Sequence, residues 1–464
     1  MDLYVVILAA GKGTRMKSAQ PKVVHALAGR PIIEHVLRTV DALRAAQTVL
    51  VVGHGADQVK AALAGRQGLQ FVMQAPQLGT GHAVQQTESV LGDRAGTLLL
   101  LYGDVPLLSS GTLQRLLESH RNSRAAATVL TAEIADPYGY GRIVRDADGA
   151  IARIAEERDA SGAERAIREI NSGIYAFDLA PLFPALHELE SDNAQGERYL
   201  TDLVALYRRK GLRVGTLCLE SAEELRGVNS RADLADLTAV VRARKNRAVM
   251  LAGATLEDPS TTYIDEDVTI GADTIIGPGV TLEGRTTIGE RCRIRAGARL
   301  THATVGHDAT ILDGSIVIDS AVGDGAAVGP YAHLRPDSTL GPGARVGNFV
   351  ELKKTTMGAR SKANHLAYLG DSTIGEDVNV GAGTITCNYD GVKKHPTVLE
   401  DGVFVGSDSQ LVAPVRVGKG AYVAAGSTVT EDVPADALAI SRNRQTIKPG
   451  WAAARRAARQ KPKA

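Results

Sequence analysis

Thr269-Ile270-Gly271-Ala272-Asp273-Thr274-Ile275-Ile276-Gly277-Pro278-Gly279-Val280-Thr281-Leu282 sets a branched aliphatic residue at every sixth position. The ladder runs unbroken through Ile264, Ile270, Ile276, Leu282, Ile288, Ile294 and Leu300. After one slip it resumes at Val322, Val328, Leu334, Leu340, Val346 and Leu352, then at Ile374 and Val380, and finally from Val405 to Val429. An ordinary strand has period two and a helix 3.6, so neither produces this rhythm. A short fixed repeat specifies a solenoid, in which each unit buries its apolar residue only by stacking on its neighbours. Three hexads per triangular coil place successive coils about 4.7–4.9 Å apart as parallel strands. Glycine after many of the aliphatics, as in Ile276-Gly277 and Val346-Gly347, is expected to permit the turn conformations between strands.

Ahead of the repeats the pattern changes. Val5–Leu8, Thr48–Val52, Leu69–Met73 and Leu98–Leu101 read as short buried strands. Ile33, Val36, Leu37, Val40 and Leu43 form the apolar stripe of a helix. This alternation implies a mostly parallel sheet covered by helices on both faces, with ligands bound beyond the carboxyl ends of its strands. Arg231–Leu251 reads as one long helix with Asn229 and Ser230 as caps. The chain is therefore an α/β protein divided into residues 1–228, a linker helix over 229–251, and a repeat domain with a C-terminal tail over 252–464.

Composition narrows the function classes. At 464 residues the chain exceeds one compact core. A formal net charge of +1, from 53 basic and 52 acidic residues, gives no global field for nucleic acid or an anionic membrane. Three widely spaced cysteines without a CxxC motif suit a reducing compartment. The start lacks the basic region of a signal peptide, and no apolar run approaches the roughly 20 residues that span a bilayer. The expectation is a cytoplasmic protein acting on small molecules. The basic tail (Lys448, Arg455, Arg456, Arg459, Lys461, Lys463) is expected to be a solvated, partly disordered end.

Leu8-Ala9-Ala10-Gly11-Lys12-Gly13-Thr14-Arg15-Met16 follows the first strand. Its glycines let backbone N–H groups approach phosphate oxygens, and Arg15 and Lys22 add positive charge. Met16 at the third glycine position excludes the dinucleotide fingerprint, and the spacing excludes a Walker A loop. With Pro21-Lys22 the string resembles the signature of sugar-nucleotide pyrophosphorylases. Gln77-Leu78-Gly79-Thr80-Gly81-His82-Ala83, Tyr102-Gly103-Asp104, Gly139-Tyr140-Gly141-Arg142 and Glu169-Ile170-Asn171-Ser172-Gly173 resemble their uridylyltransferase branch. Attack of a sugar phosphate on UTP joins two anions, which a divalent cation held by hard oxygens neutralises. The resemblance implies a Rossmann-like nucleotidyltransferase domain with Mg²⁺ on Asp104 and Asn229. It places Leu8, Ala9, Ala10, Gly11, Arg15, Lys22, Tyr102 and Gly103 among the substrate-binding residues. Gln74, Gly79 and Thr80 fall at the uracil, and Gly141, Glu156 and Asn171 at the sugar, with adjacent Glu157 the alternative to Glu156.

The hexad ladder breaks between Leu352 and Ile374 and again between Ile385 and Val398. These breaks read as loops ejected from the scaffold, where function concentrates. They carry Asn364-His365-Leu366 and Asn388-Tyr389-Asp390-Gly391. With Gly381-Ala382-Gly383-Thr384 they resemble the glucosamine-1-phosphate acetyltransferase pattern of left-handed parallel β-helix enzymes. An amino sugar is largely ammonium at neutral pH, and a histidine is suited to take its proton. His365 is the expected base, with Glu351 to orient it. The resemblance places Arg335, Lys353, Tyr368 and Asn379 at the sugar phosphate. It places Ala382, Asn388, Tyr389, Ser407, Ala425 and Arg442 at acetyl-CoA.

Both halves, in this order, resemble the bacterial bifunctional N-acetylglucosamine-1-phosphate uridylyltransferase/glucosamine-1-phosphate acetyltransferase family. That implies a homotrimer with glucosamine 1-phosphate, acetyl-CoA, N-acetylglucosamine 1-phosphate and UTP as substrates, feeding peptidoglycan and lipopolysaccharide synthesis. A single-activity pyrophosphorylase with a β-helix used only for oligomerisation is the first alternative, and a non-catalytic assembly subunit the second. Intact His365 and Asn388-Tyr389 argue against the first; Arg15, Lys22 and Asp104 argue against the second.

Overall fold

The computed structural model describes residues 2–459. Lys461 and Lys463 of the basic tail lie outside them. The chain divides into two compact units, Met1–Arg242 and Ala243–Ala464, with the boundary inside the helix Arg231–Leu251.

The first unit is built on a mixed sheet in the order Val214–Leu219, Ala127–Glu133, Glu169–Asp178, Thr97–Tyr102, Leu3–Ala9, Gln47–Val52, Leu69–Met73. All neighbours along this path run parallel except Glu169–Asp178, which is antiparallel to both of its partners. The central strands are apolar on both sides, because helices cover both faces. Val5 and Ile7 belong to one core, Val6 and Leu8 to the other. The helix Ile32–Asp41 closes one face through Ile33, Val36, Leu37 and Val40.

Helix Arg231–Leu251 starts as its sequence requires. Ser230 Oγ accepts from the Asp233 N–H, while Asp233 Oδ2 accepts from the N–H groups of Asn229 and Ser230. Leu237 and Val241 bury against Met16, Leu27, Ile32 and Val228 of the first unit. Further on, Asn246 Nδ2 donates to the carbonyls of Pro259 and Thr262, within the second unit.

The second unit is a prism of three parallel sheets with 11, 10 and 9 strands. Ile264 pairs with Leu282 and Leu282 with Leu300, one coil of three hexads apart. The inward aliphatics form one continuous buried core from Val249 to Val433. The slip in the ladder is a set of corners one residue short, as from Leu300 to Val305 and Val317 to Val322. Each such turn places a non-glycine residue, His302 or Asp319, at positive φ.

Three expectations are corrected. Glycines that follow the aliphatics do not serve the turns. Gly271 lies outside the left-handed region, but a Cβ there would stand 2.6 Å from the backbone of Gly289 in the next coil. The first break, Leu352 to Ile374, is no ejected loop. Met357, Ala363 and Leu369 point inward, and Lys362–His365 and Tyr368–Gly370 are in-register strands. The rhythm was hidden by Met and Ala at inward positions and by two short corners. The second break is a true insertion, since Thr386 pairs with Leu411 across 25 positions. Thr386 rather than Ile385 points inward there. The described part of the tail is solvated as expected, but Trp451–Arg459 is an ordered helix.

Candidate active sites

Beyond the carboxyl ends of the first unit's strands lie two adjoining cavities of about 430 and 400 Å³. Thr80, Tyr102, Asp104 and Asn229 belong to the walls of both. Leu8, Ala9, Ala10, Gly11, Lys22, Gln74 and Gly79 line the second cavity only. Arg15, Gly141, Glu156 and Asn171 line the first only. Gly103 lines neither; its N–H donates to the Leu8 carbonyl at 2.9 Å and ties the two central strands together.

The common wall is assembled by backbone. The Val228 N–H donates to the Asp104 carbonyl at 2.9 Å, which brings Asn229 beside the end of strand Thr97–Tyr102. Lys22 Nζ donates to Asp104 Oδ2 and, at 3.2 Å, to Asn229 Oδ1. Arg15 Nη2 also reaches Asn229 Oδ1, at 2.9 Å. Asp104 and Asn229 thus aim two hard oxygen donors at one cationic group, here the ammonium. Such a donor set fits Mg²⁺, which takes few protein ligands and completes its shell with water and phosphate. Among the described residues no cluster of three or more His, Cys, Asp or Glu side chains offers a metal cage.

The Leu78–Gly81 loop is held by the segment around Arg198. Arg198 N–H donates to the Leu78 carbonyl, the Gly81 N–H to the Arg198 carbonyl, and the Leu200 N–H to Thr80 Oγ1. Gly79 sits at φ 104°, and a Cβ there would approach the Arg198 carbonyl oxygen to 2.7 Å. Only glycine fits both demands.

Glu156 and Glu157 part company. Glu156 lines the cavity, accepts from Thr201 Oγ1 at 3.0 Å, and has its pKa raised, chiefly by burial. Glu157 accepts from Arg142 Nη2 at 2.7 Å and from the Gly139 N–H at 3.1 Å, bracing the Gly139–Gly141 turn. Arg142 itself is buried, at 2 % exposure. Sequence reading missed Thr201 and Tyr175, which share the cavity wall. Neither stands in a recognisable string; they arrive through a helix start and an antiparallel strand.

In the second unit His365 lies at a prism corner. Its Nδ1 is 2.8 Å from Asn348 Oδ1 on the preceding coil. An amide oxygen only accepts, so in the neutral ring the proton sits on Nδ1 and the lone pair on Nε2. Asn348 was missed by sequence reading. Glu351, expected in that role, instead pairs with Arg335 at 2.7 Å.

Above this corner Asp408 N–H donates to the Ala382 carbonyl, Gly426 N–H to the Ser407 carbonyl, and Arg442 Nη1 to the Ala425 carbonyl. Ala382, Ser407, Ala425 and Arg442 therefore stack as one column. Arg335 and Lys353 lie on adjacent coils of a neighbouring sheet, beside Tyr368. Gly370 leaves room there: a Cβ on it would meet the Tyr368 hydroxyl and Asn388 Nδ2. Asn388 also donates to Asp371 Oδ2, and the inserted loop brings Lys394 beside Lys353, which lowers the Lys394 pKa. The Tyr389 hydroxyl donates to the Gly391 carbonyl within that loop. Asn379 stands on a different sheet, in register with Lys362 and Phe404. One chain thus gathers Arg335, Lys353, Tyr368 and Asn388 on one face, apart from Asn379.

Residues 5–201 match the MobA-like NTP transferase domain, 259–335 the GMPPB C-terminal domain, and 396–431 the bacterial transferase hexapeptide with six repeats. The Bifunctional protein GlmU of Pelobacter propionicus is 52 % identical over 450 residues, covering 97 % of this chain and 98 % of that protein. Those of Trichlorobacter lovleyi and Shouchella clausii are 51 % and 47 % identical, covering 96 % and 97 % of this chain and 97 % and 98 % of their own. The chain belongs to the GlmU family of bifunctional proteins. Its fold is accordingly a Rossmann-like nucleotidyltransferase domain followed by a left-handed parallel β-helix of hexapeptide repeats. Among the described residues no helix is long and apolar enough to cross a membrane.

Proposed function

We infer that the protein makes UDP-N-acetylglucosamine in two transfers. The second unit acetylates glucosamine 1-phosphate with acetyl-CoA, and the first transfers uridylyl from UTP to N-acetylglucosamine 1-phosphate, releasing pyrophosphate. The carrying observation is the wall common to the two cavities, Thr80, Tyr102, Asp104 and Asn229. A nucleotide in one cavity and a sugar phosphate in the other meet there, as in-line displacement requires.

In the first unit Gln74 and Gly79 address the base, while Glu156 and Asn171 address the sugar. Lys22 and Arg15 stand at the junction and bind the phosphates. Asp104 and Asn229 would hold Mg²⁺, whose charge, when bound, offsets the repulsion between the phosphate groups. The sugar phosphate oxygen attacks the α-phosphorus and pyrophosphate leaves, with no protein nucleophile needed. In the second unit Arg335 and Lys353 hold the sugar phosphate. His365 Nε2 takes the proton of the amine, whose nitrogen attacks the thioester carbonyl and displaces the thiol of coenzyme A.

We further propose a cytoplasmic homotrimer. Tyr331, Phe349 and Leu366 rise on successive coils next to His365, each more than half exposed and each at positive φ. Bulky residues in that conformation are strained, and an exposed apolar ladder marks an interface. A neighbouring copy would cover it and bring Asn379 and the His365 column to the Arg335–Lys353 face. Three free thiols agree with a reducing compartment.

The test is an assay with glucosamine 1-phosphate, acetyl-CoA, UTP and Mg²⁺. UDP-N-acetylglucosamine and pyrophosphate are expected, with each half-reaction separable. Absence of both half-reactions in folded protein would overturn the reading.

A further inference from the structure

Tyr138 precedes the Gly139–Arg142 string and has no part in the reading above. At 78 % exposure it is the most exposed large apolar side chain among the described residues of the first unit. It lines the cavity of about 430 Å³ together with Gly139, Tyr140 and Gly141 of the same turn. A single exposed ring needs no explanation on an open surface, but this one borders a cavity on a backbone that is tied at each step. The Tyr138 N–H donates to Asp136 Oδ1 at 3.1 Å, and the Tyr140 N–H to the Pro137 carbonyl at 3.2 Å. Between them the Gly139 N–H donates to Glu157 Oε2 at 3.1 Å, and that oxygen also accepts from Arg142 Nη2 at 2.7 Å. Arg142 Nη1 donates in turn to the Tyr140 carbonyl. Arg142 is buried, so the clamp on the turn is rooted in the core. Gly141 then pairs with Asn171 in the sheet.

The ring of Tyr138 is therefore offered to the cavity from a fixed backbone, and little ordering of the turn remains when a ligand meets it. Of the four tyrosines on the cavity wall, only Tyr138 is exposed. Glu156, Asn171 and Thr201 give the same wall polar groups, which suit the hydroxyl and acetamido groups ranged round the rim of N-acetylglucosamine. The substituents at C2 to C5 of that sugar are equatorial, so C–H bonds project from the faces of its ring. Small-molecule pockets combine a few placed polar groups with an apolar or aromatic wall. The face of a tyrosine ring is flat and electron-rich, and matches a surface of C–H bonds. We propose that Tyr138 is a specificity-determining residue of uridylyl transfer, its ring covering the C–H face of the sugar. This rests on the placement of the sugar phosphate given above.

The test uses the full chain and measures KM for N-acetylglucosamine 1-phosphate and for UTP, with the affinities of UDP-N-acetylglucosamine and UDP by calorimetry. Tyr138→Ala is expected to raise KM for the sugar phosphate and Kd for UDP-N-acetylglucosamine at least about fivefold. KM for UTP and Kd for UDP should stay within about twofold of wild type. Tyr138→Phe keeps the ring face and drops the hydroxyl, so all four constants should stay within about twofold of wild type. The ring is exposed, so neither change removes part of the core, and acetyl transfer with a thermal melt reports folding. Unchanged sugar constants in Tyr138→Ala overturn the inference, as does an equal rise for UTP and UDP. So does a Tyr138→Phe variant as impaired as Tyr138→Ala. A wild-type protein that neither bound nor made UDP-N-acetylglucosamine would overturn the function proposed above, and the inference with it.

Discussion

The ammonium of Lys22 donates to the carboxylate of Asp104, with the Asn229 amide oxygen 3.2 Å from the same nitrogen. Two oxygens that hold one cationic group in the ligand-free chain are arranged to hold a divalent ion when phosphates arrive. Asp104→Asn removes the charge and keeps the shape. Uridylyl transfer is expected to fall about 10²–10³-fold, the usual loss when a charge-stabilising group is removed. Acetyl transfer, carried by the other unit, should be unchanged. A chelator should reproduce this split and added Mg²⁺ reverse it, as read by pyrophosphate release and thiol release in parallel.

His365 and Asn348 give the mirror-image prediction. His365→Ala should cost acetyl transfer about 10²–10⁴-fold, the range of general-base assistance, and leave uridylyl transfer intact. Asn348→Ala keeps the base but frees its tautomer and orientation, so a smaller loss of kcat with little change in KM is expected. Equal losses in the two variants would place Asn348 in a structural role only.

Legibility in the sequence followed local pattern. The buried strands of the first unit stand where short apolar runs put them, and the helix Arg231–Leu251 stands where its helix-forming composition and its capping residues put it. The coil holding His365 was misread as a loop, since Met357 and Ala363 do not advertise an inward position and short corners shift the phase. Contacts across coils were invisible for a different reason. Asn348 and His365 are 17 positions apart and meet only through register, as do Arg335 and Glu351, 16 apart. Thr201 beside Glu156, and Lys394 beside Lys353, come from chain returns that no local string announces.

Glu156 links the sugar pocket to stability. Burial raises its pKa above the ordinary carboxylate value, so the folded state holds a proton that the unfolded state releases first. With the native state binding more protons, stability falls as pH rises from about 4.3, the usual value for Glu, through the folded pKa. Glu156→Gln removes the titration and should raise the melting temperature above wild type at pH 7, with the gain vanishing near pH 4. Uridylyl transfer should fall in the same variant through KM for the sugar phosphate. A melting difference independent of pH would contradict the burial argument.

Gly79 is the backbone counterpart. At φ 104°, with the Arg198 carbonyl oxygen 2.7 Å from a built Cβ, Gly79→Ala meets both strain and collision. Strain of this kind costs about 1–3 kcal/mol, which the Leu78–Gly81 loop can relieve only by moving off Arg198. The carbonyl that fixes Gln74 moves with it. KM for UTP should rise at least about tenfold, while acetyl transfer is retained.

The exposed ladder Tyr331, Phe349 and Leu366 tests assembly directly. Tyr331 and Phe349 stack with ring centroids 5.9 Å apart, and Leu366 follows His365 on the next coil. Phe349→Asp places a charge in the middle of this apolar column, where a neighbouring copy would have to bury it unpaired. Light scattering should show loss of the trimer, with acetyl transfer lost and uridylyl transfer kept. Complementation separates assembly from local damage. His365→Ala and Lys353→Ala are each expected to lack acetyl transfer alone. If the sites are shared between copies, trimers formed by mixing the two after dissociation regain part of it, because some interfaces then join an intact His365 to an intact Lys353. No recovery in verified mixed trimers would place both residues of each site on one chain.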